Sequence, residues 1–538
     1  MSRPWWHDAV VYQVYVRSFC DRTGDGLGDL PGVRAQLPYL AALGVDAIWL
    51  NPFYKSPQLD HGYDVADYYD VEPMFGTLAD FDALLAEAHQ LGIRVICDLV
   101  PNHSSWEHVW FKEALASPVG SPARDRYIFR KPAPDGGPPN NWRSVFSGPA
   151  WTLDEASGEY YLHLFDSSQP DFNWRNPEVH AEWERILRFW LDRGVDGFRI
   201  DVAHGLYKDE KLRDNPVSKT VVPGAPAYES IAAKYNWDQP ETLDVFRSWR
   251  TLTDSYDGDR MMVGEVFLLD LGRVADYAGV DKLHQAFNFT VMATEFDAAA
   301  LQDIIAKGLK AFSADGAGPT WVLSNHDLVR HATRYGGGEQ GVRRGRAVTA
   351  VLLALPGSPY VYQGEELGLE QSDVPPADRQ DPIWIRSEGT IEGRDGCRTP
   401  IPWTSEEPGH GFTSATKSWL PFDAQADTRN VAVEAADEHS TLAFYRRAIA
   451  LRRELRDELG TEVTWLKTPE GTLGLQRSWP DGAAYSVLMN CTTKPVSIEL
   501  AGVGEVLLSS DADPSVAAGA VTVPPETTVW LRTPAASA

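Results

Sequence analysis

The chain has 538 residues, which is too long for one ordinary hydrophobic core and predicts a large domain with smaller attachments. Its 76 acidic residues outnumber 49 basic ones, and the net charge of -27 argues against nucleic acid and anionic membranes as partners. A hydrophobic fraction of 43% is typical of a globular protein, and the acidic surface suits neutral ligands. We therefore expect a small-molecule ligand, no nucleic acid and no membrane, with the chain acting as a monomer or a small homo-oligomer.

The cysteines and the N-terminus bear on the cellular compartment. Cys20, Cys97, Cys397 and Cys491 lie far apart without C-x-x-C spacing, so the sequence suggests neither a disulfide framework nor a zinc site. Residues 1–8 contain no apolar signal core, and no later run is long enough to span a bilayer. We expect a protein that stays in the cytoplasm.

Short apolar runs alternate with longer helical patterns over most of the chain. The runs predict strands at Val10–Val16, Ala47–Leu50, Val95–Leu99, Gly197–Asp201, Met261–Glu265, Ala286–Phe289, Thr320–Leu323 and Pro359–Tyr362. Amphipathic stretches such as Leu78–Leu91 and Glu178–Asp192 lie between them, and a glycine ends each one. This alternation favours an α/β fold of the (β/α)8 TIM-barrel type over an open doubly wound sheet, and no G-x-G-x-x-G follows a strand.

Three segments interrupt this alternation, and each follows a predicted strand. Residues 104–168, rich in Pro, Gly, Asn and Trp, predict a small domain inserted after the third strand, whereas 203–240 and 364–422 follow the fourth and eighth. In a TIM barrel such segments lie on the catalytic face. The helix Thr441–Leu459 is expected to close a barrel formed by residues 1–103 and 169–459. Residues 460–538 then alternate apolar and polar positions and predict an antiparallel, β-sandwich-like domain.

Acidic residues follow three of the predicted strands. Asp201 comes two residues after Arg199 on the fourth strand, Glu265 ends the fifth and Asp327 follows the seventh. Each has a structural alternative, because Arg-x-Asp is common in surface salt bridges and strand-end carboxylates often cap the next helix. Four further polar residues follow other strands: Tyr63, Asp64, His103 and His326. Convergence of the whole set at one rim is hard to explain by capping alone.

Three carboxylates in one pocket must divide their roles, because like charges raise the pKa of the least compensated group. Arg199 lies beside Asp201 and is expected to keep it ionised, as a nucleophile requires. Glu265 has no cation near it in the sequence and is therefore the better candidate for the general acid.

Four segments resemble, in order and spacing, the signature regions of the α-amylase family, glycoside hydrolase family 13. They are Asp98-Leu99-Val100-Pro101-Asn102-His103, Gly197-Phe198-Arg199-Ile200-Asp201, Gly264-Glu265 and Ser324-Asn325-His326-Asp327. Two further strings, Gln169-Pro170-Asp171-Phe172-Asn173-Trp174 and Tyr362-Gln363-Gly364-Glu365-Glu366, look like the α-glucosidase and oligo-1,6-glucosidase branch. The resemblance covers essentially the whole chain, and the residues after Asp201 look closest to actinobacterial α-glucosidases.

By this resemblance Asp201 is the nucleophile, Glu265 the acid/base, and Asp327 the third carboxylate, which binds sugar hydroxyls and stabilises the transition state. The residues that match contacts to the non-reducing glucose are Tyr63, Asp64, His103, Arg199 and His326. Arg398 looks like the arginine that pairs with Asp64 and closes the pocket floor, which limits such enzymes to chain ends. The mechanism implied is retaining double displacement through a covalent glucosyl–Asp201 ester.

The loop Asp21–Asp29 places oxygen donors at positions 1, 3, 5 and 9 and a glycine at position 6, like an EF-hand loop without its twelfth-position glutamate. An acidic, glycine-rich turn is the alternative. Related α-glucosidases bind Ca²⁺, or sometimes Mg²⁺, at this loop, so the resemblance implies a structural metal and no organic cofactor. The implied ligands are Asp21, Thr23, Asp25, the Leu27 carbonyl and Asp29, with Thr23 where relatives usually have Asn.

The leading hypothesis is a retaining exo-α-glucosidase that releases glucose from maltose-type oligosaccharides, with transglucosylation at high sugar concentration. In the family Val202 often accompanies α-1,6 preference, whereas residues 203–205 favour α-1,4 action. The alternatives are an oligo-1,6-glucosidase, a sucrose hydrolase or a trehalose synthase on the same scaffold. A non-catalytic sugar-binding protein is disfavoured because all three carboxylates are present.

Overall fold

Eight parallel strands form one sheet and confirm the predicted TIM barrel, in a computed structural model that describes residues 3–216, 234–268, 270–312, 317–406, 408–500 and 502–533. The strands are Val11–Val14, Ala47–Leu50, Arg94–Leu99, Gly197–Ile200, Met261–Gly264, Gln285–Ala286, Thr320–Val322 and Ser358–Tyr362. The first strand pairs with both the second and the eighth. The sixth and seventh are joined through the Thr320 hydroxyl, which accepts from the Asn288 N–H and donates to the Ala286 carbonyl, each at 3.0 Å.

Alternation of side chains along the strands divides the core into an inner and an outer part. Apolar residues of one parity form the inner cluster: Val11, Ala47, Trp49, Ile96, Met261, Val263, Val322 and Tyr360. Residues of the other parity, such as Tyr12 and Ile48, belong to the larger cluster between strands and helices. Nearer the carboxyl ends of the strands, the inward-facing positions carry polar side chains instead: Gln13, Asp98 and Arg199, all of them buried. This change places a polar site at the carboxyl end of the barrel.

Helices follow the strands and surround the sheet, as the sequence pattern predicts. They are Leu30–Ala35, Leu37–Leu43, Leu78–Gln90, Val109–Ala116, Pro177–Arg193, Thr242–Thr253, Leu271–Ala275, Ala298–Phe312, His331–Arg334, Gly338–Ala354, Pro382–Arg386, Val431–Ala436 and Thr441–Leu455. Gly194, with φ 103°, ends the fifth of these in the left-handed conformation that glycine tolerates. Within the described ranges, no helix has the length and apolar character that crossing a membrane requires.

The segment between the third and fourth barrel strands forms a small layer of its own. After the helix Val109–Ala116 it contains the antiparallel strands Phe129–Arg130, Trp151–Asp154 and Glu159–Leu162, with the last in the centre. A separate apolar cluster that includes Trp142, Trp151 and Leu162 stabilises it. A short hairpin, Tyr54–Lys55 with Asp67–Val71, follows the second barrel strand.

The C-terminal part consists of two antiparallel sheets, as predicted. The larger has the strands Thr464–Trp465, Thr472–Ser478, Ala484–Asn490, Thr527–Thr533 and Glu505–Ser509, and the smaller has Val496–Glu499, Ala520–Val523 and Ser515–Ala517. Glu526, which is 1% exposed, binds Arg343 and Arg344 on the barrel helix Gly338–Ala354 at 2.8 and 2.7 Å. This buried carboxylate ties the β domain to the barrel.

Candidate active site

A single buried arginine lies at the centre of the predicted site. Arg199, on the fourth barrel strand, is 1% exposed, and its Nη1 donates to Asp98 at 2.9 Å and to Asp201 at 2.6 Å. Its Nη2 lies 3.0 Å from Glu265 Oε2. The parallel register explains the convergence, because Arg199 is paired with Asp98 on the third strand and with Val263, two residues before Glu265, on the fifth. Three carboxylates from three adjacent strands therefore share one guanidinium.

The sequence-based reason for choosing Glu265 as the acid is wrong, because Arg199 is its neighbour in space. The difference between the two carboxylates lies in their access to solvent: the Glu265 side chain is 15% exposed and that of Asp201 7%. The Val202 N–H donates to Glu265 Oε2 at 3.0 Å. Val202 has φ 45°, a strained left-handed conformation for a β-branched residue, and this sharp turn aims its N–H at the glutamate.

The shared arginine does not fully neutralise this cluster. Burial raises the pKa of Asp201, and Glu265 and Asp98 raise it further, whereas Arg199 opposes them. Burial also raises the pKa of Asp98 to about 7 although Arg199 and Tyr63 lower it. Arg199 therefore does not outweigh burial and the neighbouring carboxylates at Asp201, contrary to the expectation from the sequence.

Asp327 is held ionised by two arginines from the segment after the eighth strand. Its Oδ1 accepts from Arg394 Nη1 and from Arg398 Nη2, each at 3.0 Å. Burial works to raise the pKa of Asp327, but His326, Arg394 and Arg398 outweigh it and hold the pKa well below its usual range. The Gln13 amide donates to His326 Nδ1 at 2.8 Å, which leaves the imidazole proton on Nε2, 3.3 Å from Asp327 Oδ2.

Aromatic and imidazole rings complete the wall of the pocket where the sequence predicted them. Tyr63 and His326 stack with an interplanar angle of 5°, and the Tyr63 hydroxyl donates to Asp98 at 3.0 Å. His103 Nε2 lies 3.1 Å from the Tyr63 carbonyl and 3.2 Å from the Gln169 amide nitrogen. The structure therefore brings Tyr63, His103, Arg199 and His326 together around Asp201, Glu265 and Asp327.

The predicted Asp64–Arg398 pair is wrong. Asp64 is 0% exposed, and its oxygens accept from the Ser56 hydroxyl and from the Leu59 and Asp60 N–H groups. Its carboxylate is bonded within its own loop instead of to Arg398. Arg398 binds Asp327 and the His326 carbonyl instead.

Asp60 and Arg394 form the pair that the sequence assigned to Asp64 and Arg398. Asp60 Oδ1 lies 2.9 Å from Arg394 Nη2, and Asp60 Oδ2 accepts from the Gln169 amide at 3.0 Å. Arg394 also binds Asp327 and, at 2.7 Å, Asp381. Each missed residue lies four positions before the predicted one, and a turn with left-handed backbone at His61 (φ 50°) and Gly62 (φ 105°) selects Asp60.

Another arginine, Arg386, links the segment after the eighth strand to the inserted domain. Arg386 Nη1 lies 2.8 Å from Asp166 Oδ2, and its Nη2 donates to the Ser147 carbonyl at 3.3 Å. The Arg394 guanidinium lies 5.1 Å from the ring centroid of Phe146. The inserted domain and the segment after the eighth strand therefore meet over the pocket.

Comparison with known proteins shows the family to which the chain belongs. A profile of the α-amylase catalytic domain matches residues 13–459. The chain belongs to the α-amylase family. A probable α-glucosidase of Rhizobium meliloti is 42% identical over 93% of this chain and 91% of its own length. An oligo-1,6-glucosidase of Parageobacillus thermoglucosidasius is 37% identical over 84% of each chain. These relatives and the catalytic domain identify the chain as a glycoside hydrolase.

Two solved structures share this architecture over their full length. The crystal structure of an α-glucosyl transfer enzyme is 40% identical, with a TM-score of 0.92 over 99% of this chain and 100% of that one. A trehalulose synthase from Pseudomonas mesoacidophila is 31% identical, with a TM-score of 0.87 over 99% of this chain and 100% of its own. The family fold thus carries both enzymes named as glucosidases and enzymes named for glucosyl transfer or trehalulose synthesis.

The loop Asp21–Asp29 follows the first barrel strand, away from the catalytic carboxylates in sequence. The Thr23 hydroxyl donates to Asp21 at 3.1 Å, and the Thr23 N–H donates to Asp29 at 3.0 Å. The Asp25 side chain accepts from the Leu27 N–H at 2.9 Å. In the described parts of the chain, no group of three or more Asp, Glu, His or Cys side chains is arranged so that it could hold a metal ion. Hydroxyl and carbonyl oxygens would have to complete a site here.

We expect Arg394→Lys to lower kcat/KM for maltose about a hundredfold, because one ammonium cannot replace a fork that binds three carboxylates. Arg379→Lys is the matched control, since Arg379 lies in the same segment and binds the exposed Glu392 at 3.1 Å. Its kcat/KM should stay within about twofold of the wild type. Equal effects of the two substitutions would contradict the role of Arg394 in the pocket floor.

Asp64 should make stability depend on pH in an unusual direction. Burial and Asp60 raise its pKa to about 7. In the folded chain Asp64 therefore keeps a proton that it loses at about pH 4 in the unfolded chain. Its stabilising contribution is therefore full below about pH 4 and falls as the pH rises through 7. Urea unfolding of wild type and Asp64→Asn should show the wild type losing stability relative to the variant between about pH 4.5 and 7.5. A difference that stays constant over this range would show that Asp64 does not titrate there.

Proposed function

We propose that the enzyme is a retaining exo-α-glucosidase that hydrolyses terminal α-1,4-linked glucose from maltose and short maltooligosaccharides. The observation that carries this proposal is Arg199, which bridges Asp201 at 2.6 Å and Glu265 at 3.0 Å. A guanidinium is small, so the two carboxylates that it joins lie close enough for one to attack the sugar directly. Relatives named α-glucosidase and maltase support the choice of substrate.

In the first step an Asp201 oxygen attacks the anomeric carbon while the bond to the leaving sugar oxygen breaks. Glu265 gives its proton to that oxygen, and the released sugar leaves a β-glucosyl ester on Asp201. In the second step Glu265 takes a proton from water, whose oxygen bonds to the anomeric carbon as the ester bond breaks. Arg199 stabilises both carboxylates when they are ionised, and the Val202 N–H orients Glu265.

The floor of the pocket supports exo-action. Asp60, Arg394 and Asp327 are joined by bonds of 2.9 and 3.0 Å, and their free lone pairs and N–H groups suit the hydroxyls of a terminal glucose. Arg386 and Asp166 join the two insertions above it. A glucose unit that continued into a longer chain at its non-reducing end would meet this closed, charged surface.

Glucosyl transfer is the second candidate, favoured by the similarity to an α-glucosyl transfer enzyme at a TM-score of 0.92. In that reaction a sugar hydroxyl replaces water in the second step. Incubation with maltose, isomaltose, sucrose, trehalose or kojibiose, with identification of all products, separates the candidates. Free glucose as the main product from maltose supports hydrolysis. Trisaccharides, or an isomer of sucrose, would favour transfer or isomerisation.

The roles of Asp201 and Glu265 can be separated by azide rescue. Asp201→Gly and Glu265→Ala should each lose about a thousandfold or more of the activity on p-nitrophenyl α-glucoside. In Asp201→Gly, azide takes the place of the missing carboxylate. It attacks the anomeric carbon from the face opposite the leaving group and should give β-glucosyl azide. With Glu265→Ala and α-glucosyl fluoride, which needs no acid, azide should attack the covalent ester and give α-glucosyl azide.

The exposed Glu339 provides a control, because Glu339→Gln changes a carboxylate that is 89% exposed and should keep full activity. Circular dichroism should show all three variants folded. The opposite pairing of azide anomers would exchange the two roles, and full activity of either site variant would refute its assignment.

We also propose a structural divalent cation, Ca²⁺ in preference to Mg²⁺, at the loop Asp21–Asp29. Burial raises the pKa of Asp29, and Asp21 adds a smaller repulsion that a cation would relieve. The set would consist of Asp21, Thr23, Asp25, the Leu27 carbonyl and Asp29. Its hard oxygens and irregular geometry suit Ca²⁺ better than the octahedral Mg²⁺.

Chelation by EDTA should lower the Tm, and Ca²⁺ in excess should restore it, because a cation that binds only the folded chain stabilises it. Asp25→Asn should remove this response, and Asp257→Asn, at an exposed site outside the loop, should keep it. A Tm that is unaffected by EDTA in the wild type would refute the metal site. Recovery with Mg²⁺ alone would change the identity of the ion.

The cytoplasm is proposed as the working compartment. Cys20, Cys97, Cys397 and Cys491 are all free thiols, and the first three are buried. Reduced cysteines are the usual state in a cytosolic protein.

A further inference from the structure

A groove lies on the inserted domain between the helix Val109–Ala116 and the strand Trp151–Asp154. Its volume is about 470 Å³, within the range of about 300–1,000 Å³ typical of small-ligand sites. Trp106, just before the helix, and Tyr161 on the neighbouring strand also line it. None of the residues that line it belongs to the catalytic pocket described above.

The floor of the groove is a rigid aromatic surface. Phe111 is 1% and Tyr161 7% exposed, and their rings meet edge to face at 5.1 Å. The Tyr161 hydroxyl is already bound to the Ser167 carbonyl at 2.8 Å, so the ring is fixed. These packed rings fix the shape of the groove, and its exposed apolar contacts are those of Trp106 and Leu115.

Trp106 provides an exposed indole beside this floor. It is 45% exposed, although its backbone N–H is fixed to the Ser168 carbonyl at 2.7 Å. In the part of the chain that the structure describes, its indole N–H has no hydrogen-bond partner. An exposed tryptophan on a fixed backbone costs little entropy when a flat ligand packs on it.

Charged side chains with unused hydrogen-bonding capacity surround the aromatic surface. Glu107, Lys112 and Glu155 line the groove and are exposed, and among the described residues none of them forms an ion pair. Together they offer both donors and acceptors within one small groove. An apolar peptide in this place would remove three unpaired charges from water at a high cost.

We propose that this groove is a second carbohydrate site, which holds a short α-glucan outside the catalytic pocket. A pyranose has an apolar C–H face that packs on an indole and a ring of hydroxyls that both donate and accept hydrogen bonds. A neutral sugar also agrees with the net charge of -27, which repels anionic ligands. The choice of α-linked glucose, rather than another neutral sugar, rests on the proposed α-glucosidase function.

β-Cyclodextrin is the probe that separates the groove from the catalytic pocket, because a cyclic glucan has no chain end to enter a closed pocket. Titration calorimetry with full-length protein and saturating 1-deoxynojirimycin, a glucose-shaped inhibitor, should show cyclodextrin binding in the wild type. Trp106→Ala and, independently, Lys112→Ala should weaken it about tenfold or more, since each removes a main contact. Hydrolysis of p-nitrophenyl α-glucoside should remain within about twofold of the wild type.

Val280→Ala is the matched control, because Val280 is 74% exposed and lies outside the groove. It should bind β-cyclodextrin like the wild type. Wild-type affinity in both groove variants, or no cyclodextrin binding at all, would overturn the proposal. A change of oligomeric state in Trp106→Ala by sedimentation, with unaltered cyclodextrin affinity, would overturn it in favour of an interface between copies. Failure of the proposed activity would appear separately, as absence of maltose hydrolysis with cyclodextrin binding retained.

Discussion

The pocket depends on one buried guanidinium shared by three carboxylates. Arg199 is 1% exposed, a position that is costly for an arginine without full compensation. Asp98, Asp201 and Glu265 supply that compensation from the third, fourth and fifth strands, and removal of Arg199 would leave all three carboxylates without their shared cation. The same contact therefore fixes the register of three strands and positions the reacting groups. Burial and the residual negative charge together raise the pKa of Asp201 and Asp98.

A second set of buried charges forms the floor of the pocket on the same principle. Asp327 contributes one oxygen to both Arg394 and Arg398, and Arg394 extends to Asp60 and Asp381. Carboxylates outnumber arginines in both sets, but Asp327 contacts two arginines, whereas Asp98, Asp201 and Glu265 share one. The pKa of Asp327 is consequently held low, while those of Asp98 and Asp201 are raised. Division of labour among the acids thus arises from the number of cations that each one contacts.

Much of the barrel could be predicted because buried parallel strands are continuous apolar runs that end at polar residues. Asp201 and Glu265 follow such runs directly and Asp327 comes five residues after one, so their place in sequence determines their place at the rim. The choice of Asp64 over Asp60 failed because both lie in a loop, where a left-handed turn decides which carboxylate faces inward. Loop geometry of this kind depends on hydrogen bonds, which the spacing of apolar residues in the sequence does not predict. Arg199 beside Glu265 was missed because the contact crosses between strands far apart in sequence.

The origin of the pocket floor in distant parts of the chain has a consequence for synthesis of the enzyme. A nascent chain of 327 residues contains Asp201, Glu265 and Asp327, yet it lacks Arg394, which binds Asp327 and Asp60, and Arg398, which binds Asp327. Until those arginines leave the ribosome, burial of the two carboxylates is opposed by their own charge. The last barrel strand and its following segment therefore act as a completion step. An interrupted chain that stops short of them would contain Asp201 and Glu265 but lack the arginines that close the floor of the pocket.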